Sequence, residues 1–127
     1  MCGIFAYINY LTDKSRAEIV ETLLTGLGRL EYRGYDSAGM AVDGDRPGDV
    51  FLFKQVGKVA SLRAFVGQQT QVNMAQQLPI HVGMAHTRWA THGQPSPINA
   101  HPHRSDPEHQ FTVVHNGIIT NYKELRT

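Results

Sequence analysis

Residues 3–30 read GIFAYINYLTDKSRAEIVETLLTGLGRL, a strand-like run that gives way to a helical one. GIFAYINY (3–10) is mostly β-branched or aromatic and predicts a buried strand. Ser15 and Glu18 then stand at capping-box spacing, a hydroxyl followed three residues later by a carboxylate. Apolar residues recur at Ile19, Val20, Leu23, Leu24, Leu27 and Leu30, so a helix is predicted over about 16–30. Gly26 and Gly28 each weaken that helix by roughly 1 kcal/mol relative to alanine, which predicts close packing against a neighbour. They do not form a dinucleotide fingerprint, because Glu31 holds the third glycine position and the pair lies inside the helix.

Outward from this stretch, EYRGYDS (31–37) reads as a loop. Strands are predicted over 38–43 and 49–56, around the turn-rich Gly44-Asp45-Arg46-Pro47-Gly48. A short helix over 58–67 leads into a polar loop, 68–79, with five glutamines and one proline. A strand over about 80–86 follows. Residues 88–110 are loop-like, with Pro95, Pro97, Pro102 and Pro107. Phe111 to Val114 form a short strand, and a helix is predicted from Ile118, within which the sequence stops at Thr127. That abrupt stop predicts a truncated domain. There is no internal repeat.

The whole chain has 127 residues, 41% hydrophobic and 18% charged, which suits one packed domain or a piece of one. Twelve basic against eleven acidic residues leave +1, so charge gives no case for nucleic acid or an anionic membrane. No apolar run reaches spanning length, and the start lacks the basic region of a signal peptide. A single cysteine excludes an intrachain disulfide and fits a reducing compartment, so the expected location is the cytoplasm.

Two features carry the candidate chemistry: the cysteine directly after Met1, and seven histidines confined to 81–115. Cys2 reads either as a small apolar residue in a buried strand or as a nucleophile. Removal of Met1 would give it a free α-amine with a reference pKa of about 7.7–8.0, against about 8.5 for the thiol. Nucleophile and base would then share one residue, with Gly3 leaving room for a substrate beside the sulfur. In AHTRWATHG (85–93), Arg88 could clamp a carboxylate and Trp89 could lid a small site; the alternative is a surface loop anchored by its tryptophan. His101 and His103, with His92 or His115, could bind zinc, or simply belong to a polar loop around Pro102. Asn116-Gly117 is either a turn or an oxyanion hole, a side-chain amide beside a backbone N–H that no Cβ obstructs. Arg33 and Asp36 are either a loop ion pair or buried support beneath a site.

Taken together, Cys2-Gly3-Ile4, RLEYRGYDSAG (29–39), GKV (57–59), AHTRWATHG (85–93), NAHPH (99–103) and HNGI (115–118) resemble the class II glutamine amidotransferases. Within that group the text is similar to the glutaminase domain of the glutamine–fructose-6-phosphate aminotransferases, with a eukaryotic-like opening and ending. The resemblance implies an α+β fold, the four-layer αββα sandwich of amino-terminal-nucleophile hydrolases, of which residues 2–127 would form about the first half. It makes Cys2 the nucleophile, and Asn116 and Gly117 the oxyanion hole. Arg88 becomes the holder of the glutamine α-carboxylate, and Trp89, Thr91 and His92 part of a mobile loop over glutamine. It implies no metal and no cofactor at this site. L-glutamine is the expected ligand, with fructose-6-phosphate and homo-oligomers expected for the full-length enzyme. The family's glutaminase domain is about twice this length. A downstream aspartate that holds the substrate amine, and the sugar-isomerase domain, fall outside the sequence. Other readings are the glutaminase part of an amidophosphoribosyltransferase or asparagine synthetase, or a non-catalytic, zinc-binding fragment.

Overall fold

The computed structural model describes residues 2–126. Four antiparallel strands form one sheet in the order β1-β4-β2-β3: β1 (Gly3–Ser15), β2 (Ser37–Asp43), β3 (Val50–Val56) and β4 (Gln77–Arg88). Helices α1 (Arg16–Leu30) and α2 (Val59–Gly67) cover one face, giving an α+β arrangement of one helical layer on one sheet. A 3-10 turn at Glu31–Arg33, within the predicted loop, follows α1, and a two-stranded ladder of β5 (His103–Arg104) and β6 (Thr112–Val113) and the four-residue α3 (Tyr122–Leu125) complete the described elements.

The helix at 16–30 forms as its spacing predicts. Ser15 Oγ accepts from the Glu18 amide at 3.3 Å, and the Glu18 carboxylate accepts from the Ser15 amide at 2.8 Å. Its apolar stripe of Ile19, Val20, Leu23, Leu24 and Leu27 is buried against Met40, Val42, Phe53 and Ala85 of the sheet, each side chain contributing about 1.5–3 kcal/mol. Val59, Leu62 and Val66 add the α2 side of the same core. Gly26 is where the sheet comes closest: a Cβ there would lie 2.5 Å from the Phe5 ring. Gly28 does not share this role, since nothing lies within 4 Å of a Cβ placed on it.

Three expectations need correction. The first strand is not buried: Phe5 and Tyr7 pack on the helices, but Ile8 and Tyr10 on the other face are each 69% exposed, because helices cover only one side. It also runs on to Ser15 through an irregularity between Tyr10 and Lys14, where buried Asn9 donates to the carbonyls of Thr12 and Pro79. The strand predicted over 80–86 begins at Gln77 and ends at Arg88, within what reads as loop at both ends. Pro79 is tolerated because it falls opposite that irregularity, where the ladder needs no N–H from it. The last helix starts at Tyr122 rather than Ile118, since Ile118 and Ile119 are exposed and no buried face supports a longer one.

Candidate active site

β1 and β4 lie side by side, with Gly3 opposite Thr87, so Cys2 and the segment after Arg88 emerge together at one end of the sheet. Cys2 is half-buried, and the Trp89 amide donates to its Sγ at 3.4 Å. Of its two readings, the buried-strand one is not what the fold shows. Gly3, however, opens no space beside the sulfur. A Cβ on it would meet Leu30 at 2.8 Å and Thr87 at 2.9 Å, so its smallness serves the helix side.

Residues 89–118 cross the uncovered face of the sheet at this end. Close approach is possible because Gly39 has no side chain; a Cβ there would sit 2.1 Å from the His101 carbonyl oxygen. The crossing segment brings Asn116 to the cysteine, where its Nδ2 donates to the Cys2 carbonyl at 3.0 Å. On the other side Asn116 Oδ1 lies 2.7 Å from His86 Nε2. Gly117 is seated against the His115 ring, which a Cβ would approach to 2.9 Å.

The result is a cavity of about 630 Å³ that brings together Cys2, Arg88, Trp89, Thr91, His92, Asn116 and Gly117. Every residue predicted for the site therefore lines one pocket. Arg33, Gly93, Asn99, His101, His103 and His115 line it too. Arg88 is nearly buried at the end of β4, and its guanidinium donates to the carbonyls of His92, Gly93 and Gln94, folding the following loop around itself. Trp89 stays partly exposed and packs edge-on against Tyr35 at 5.1 Å. Thr91 Oγ1 and His92 Nδ1 are 3.2 Å apart on the rim.

Two supports stand behind the site: Asp36, which the sequence left open between a loop ion pair and a buried support, and His86, which the sequence did not single out. Asp36 accepts the Ala90 amide on one carboxylate oxygen and the Ser37 hydroxyl on the other, pinning the segment that touches the sulfur. His86, 1% exposed on β4, stacks on His101 at 4.4 Å, and His101 meets His103 edge-on at 4.3 Å. The legible signal for His86 was a histidine inside the strand-like VGMAHTR, a buried polar group that needs a partner. Burial, with the neighbouring His86, His103, Lys54 and Arg88, pushes His101 down to about 3. Burial likewise lowers His86 and His103. His101 Nδ1 receives the His115 amide at 3.4 Å, and among the described residues no group of three histidines, cysteines or carboxylates could hold a metal ion.

Across all 127 residues the chain is 58% identical to "Glutamine--fructose-6-phosphate aminotransferase [isomerizing]" of Saccharomyces cerevisiae, covering 100% of this chain and 18% of the relative. The isomerizing aminotransferase 1 of Rattus norvegicus is 53% identical over 133 residues, covering 99% of this chain and 20% of the relative. Over its full length the chain matches the amino-terminal region of glutamine–fructose-6-phosphate aminotransferases. A plant member, from Arabidopsis thaliana, is 50% identical over 130 residues, again covering 99% of this chain and 19% of the relative. The chain thus spans about a fifth of the length of the curated aminotransferases it matches. No family model matches it. Among the described residues, no helix is long and apolar enough to cross a membrane.

Proposed function

We propose that this chain carries the glutamine-hydrolysing site of a glutamine–fructose-6-phosphate aminotransferase. In that protein, ammonia released from glutamine would convert fructose-6-phosphate to glucosamine-6-phosphate. The observation that carries the reading is the convergence of a half-buried cysteine thiol with an asparagine amide and an arginine in one cavity. The names of the relatives support the same substrates.

With Met1 removed, the Cys2 thiol passes its proton to its own α-amine and the sulfur attacks the side-chain amide carbon of glutamine. The carbonyl π electrons move onto oxygen, and the oxyanion accepts hydrogen bonds donated by the second Asn116 amide hydrogen and the Gly117 N–H. The amine returns its proton to the departing nitrogen, the C–N bond breaks, and ammonia leaves a γ-glutamyl thioester. The α-amine then takes a proton from water as the water oxygen adds to the thioester carbon, and returns it to the sulfur as the C–S bond breaks, releasing glutamate and the free thiol. Arg88 holds the α-carboxylate, while Trp89, Thr91 and His92 close over the substrate.

The same reading makes residues 2–127 the first half of a four-layer αββα domain. Its second sheet would cover the face on which Ile8, Ile80 and Val82 are exposed. It also gives the complete protein a cytoplasmic location and a homo-oligomeric state, and gives this site no metal or cofactor.

The test uses the complete protein. Intact mass should show Met1 absent; an active enzyme that retains it removes the amine from its role. A glutamine-like electrophile should add its mass to the wild-type amino-terminal peptide and not to Cys2→Ala. Labelling of the variant at that peptide, or undiminished ammonia release by it, overturns the reading.

A further inference from the structure

Asn116 does not reach the sulfur's neighbourhood unaided. Its Nδ2 donates to the Cys2 carbonyl at 3.0 Å and its Oδ1 lies 2.7 Å from His86 Nε2. Those contacts fix the protons. A backbone carbonyl only accepts, so the amide nitrogen must face Cys2. The amide oxygen then faces His86, so Nε2 must carry the hydrogen.

The ring that makes this contact is held on all sides. β4 runs between β1 and β2, with Ile4 and Gly39 as the register partners of His86. The ring is 1% exposed and stacks on His101 with a 29° interplanar angle. Its Nδ1 is buried and finds no hydrogen-bond partner among the described residues. A second proton there would be a buried donor with nothing to accept it, so the ring is held neutral. Burial also depresses His86, with His103 and Arg88 adding to that push, while the Asn116 bond and Asp36 oppose it.

We propose that His86 is a positioning residue for the glutaminase reaction: its neutral Nε2–H holds the Asn116 oxygen, so that the second Asn116 amide hydrogen is presented to the oxyanion. The proposal rests on the glutaminase reading above. An asparagine amide at the end of a surface-crossing segment can rotate about its side-chain bonds. Anchoring its oxygen to a ring locked in the sheet fixes the donor before substrate arrives, which is the preorganisation such a donor requires.

The experiment is a double-mutant cycle in the complete protein, read as kcat and KM for glutamine. His86→Phe removes the donor and keeps the stacking ring; kcat should fall about 10- to 100-fold with KM changed less than about 3-fold. His86→Gln restores an N–H near the Nε2 position and should recover at least half of that loss on a logarithmic scale. In an Asn116→Ala background, His86→Phe should cost nothing further, because the residue acts through Asn116. Additive losses, or no rescue by glutamine, overturn the His86 proposal and leave the glutaminase reading standing. An Asn116→Ala variant with undiminished kcat instead overturns the reading itself. Should His86→Phe fail to fold, nitrogen NMR of the wild-type imidazole decides: the Nε2–H tautomer is expected, and an Nδ1–H tautomer or an imidazolium at pH 7 refutes the proposal.

Discussion

Arg88 has two duties that its substitution would separate poorly. Its guanidinium is tied to the carbonyls of His92, Gly93 and Gln94, and under the proposed function it also meets the substrate carboxylate. Loss of a charged hydrogen bond costs roughly 1.5–3 kcal/mol, so Arg88→Ala should raise KM for glutamine about 10- to 150-fold. Arg88→Lys should not restore it, because one ammonium can neither span several carbonyls nor pair a carboxylate at two points. Asn116→Ala should instead lower kcat by roughly 10²–10³ with a smaller change in KM. Steady-state kinetics of the two variants would check this, and the reverse pattern would exchange their roles. Cys2, Arg88 and Asn116 were legible in the sequence because each residue type carries its own chemistry. Their supports were legible only in part: Asp36 read equally well as half of a loop ion pair, and His86 only as a histidine within a strand-like run. His86 meets Asn116 across 30 residues and Asp36 meets Ala90 across 54, and neither spacing announces a pair.

At the scale of elements, local signals were enough for α1: a capping box and a clean apolar stripe are contained within sixteen residues, Ser15 to Leu30. They were not enough for β4. Its first residues, Gln77 and Leu78, become strand only because Ser15 and Lys14 stand opposite them, a fact that belongs to the partner. The far end of β4 and the 101–103 segment together form the stack of His86, His101 and His103, and this stack gives the fold an acid sensitivity. Burial holds His101 near 3, against 6.5 for an unperturbed ring, with Lys54 of β3 and Arg88 of β4 facing it. A ring depressed in the folded state contributes stability that is full above its unfolded value and is lost as pH falls from about 6.5 toward 3. Thermal melts of the complete protein should therefore drop between pH 7 and pH 5, and His101→Gln should flatten that slope. An unchanged slope in the variant would show that His101 is not the group being protonated.

For the whole molecule, the decisive asymmetry is between the two faces of the sheet. The helices cover Phe5, Met40, Val42 and Phe53, but the other face presents Ile8 at 69%, Ile80 at 46% and Val82 at 44% exposure. A strand apolar on both sides reads as one meant for burial on both. Domain stability is about 5–15 kcal/mol in total, so an uncovered apolar face is a large fraction of what could hold the fold together. These 127 residues expressed alone should self-associate, bind an apolar dye and melt broadly. Ile8 and Val82 are register partners across β1 and β4, which allows a direct test. Ile8→Lys with Val82→Glu places opposite charges side by side on that face and leaves the helix-side core untouched. The paired variant of the 127-residue chain should sediment as a monomer and lose the dye signal. In the complete protein the same pair should lower the melting temperature, because under the proposed four-layer fold it would bury two charges. A wild-type 127-residue chain that is monomeric and dye-silent, together with a complete protein indifferent to the pair, would show that nothing packs on this face and that the single helical layer suffices.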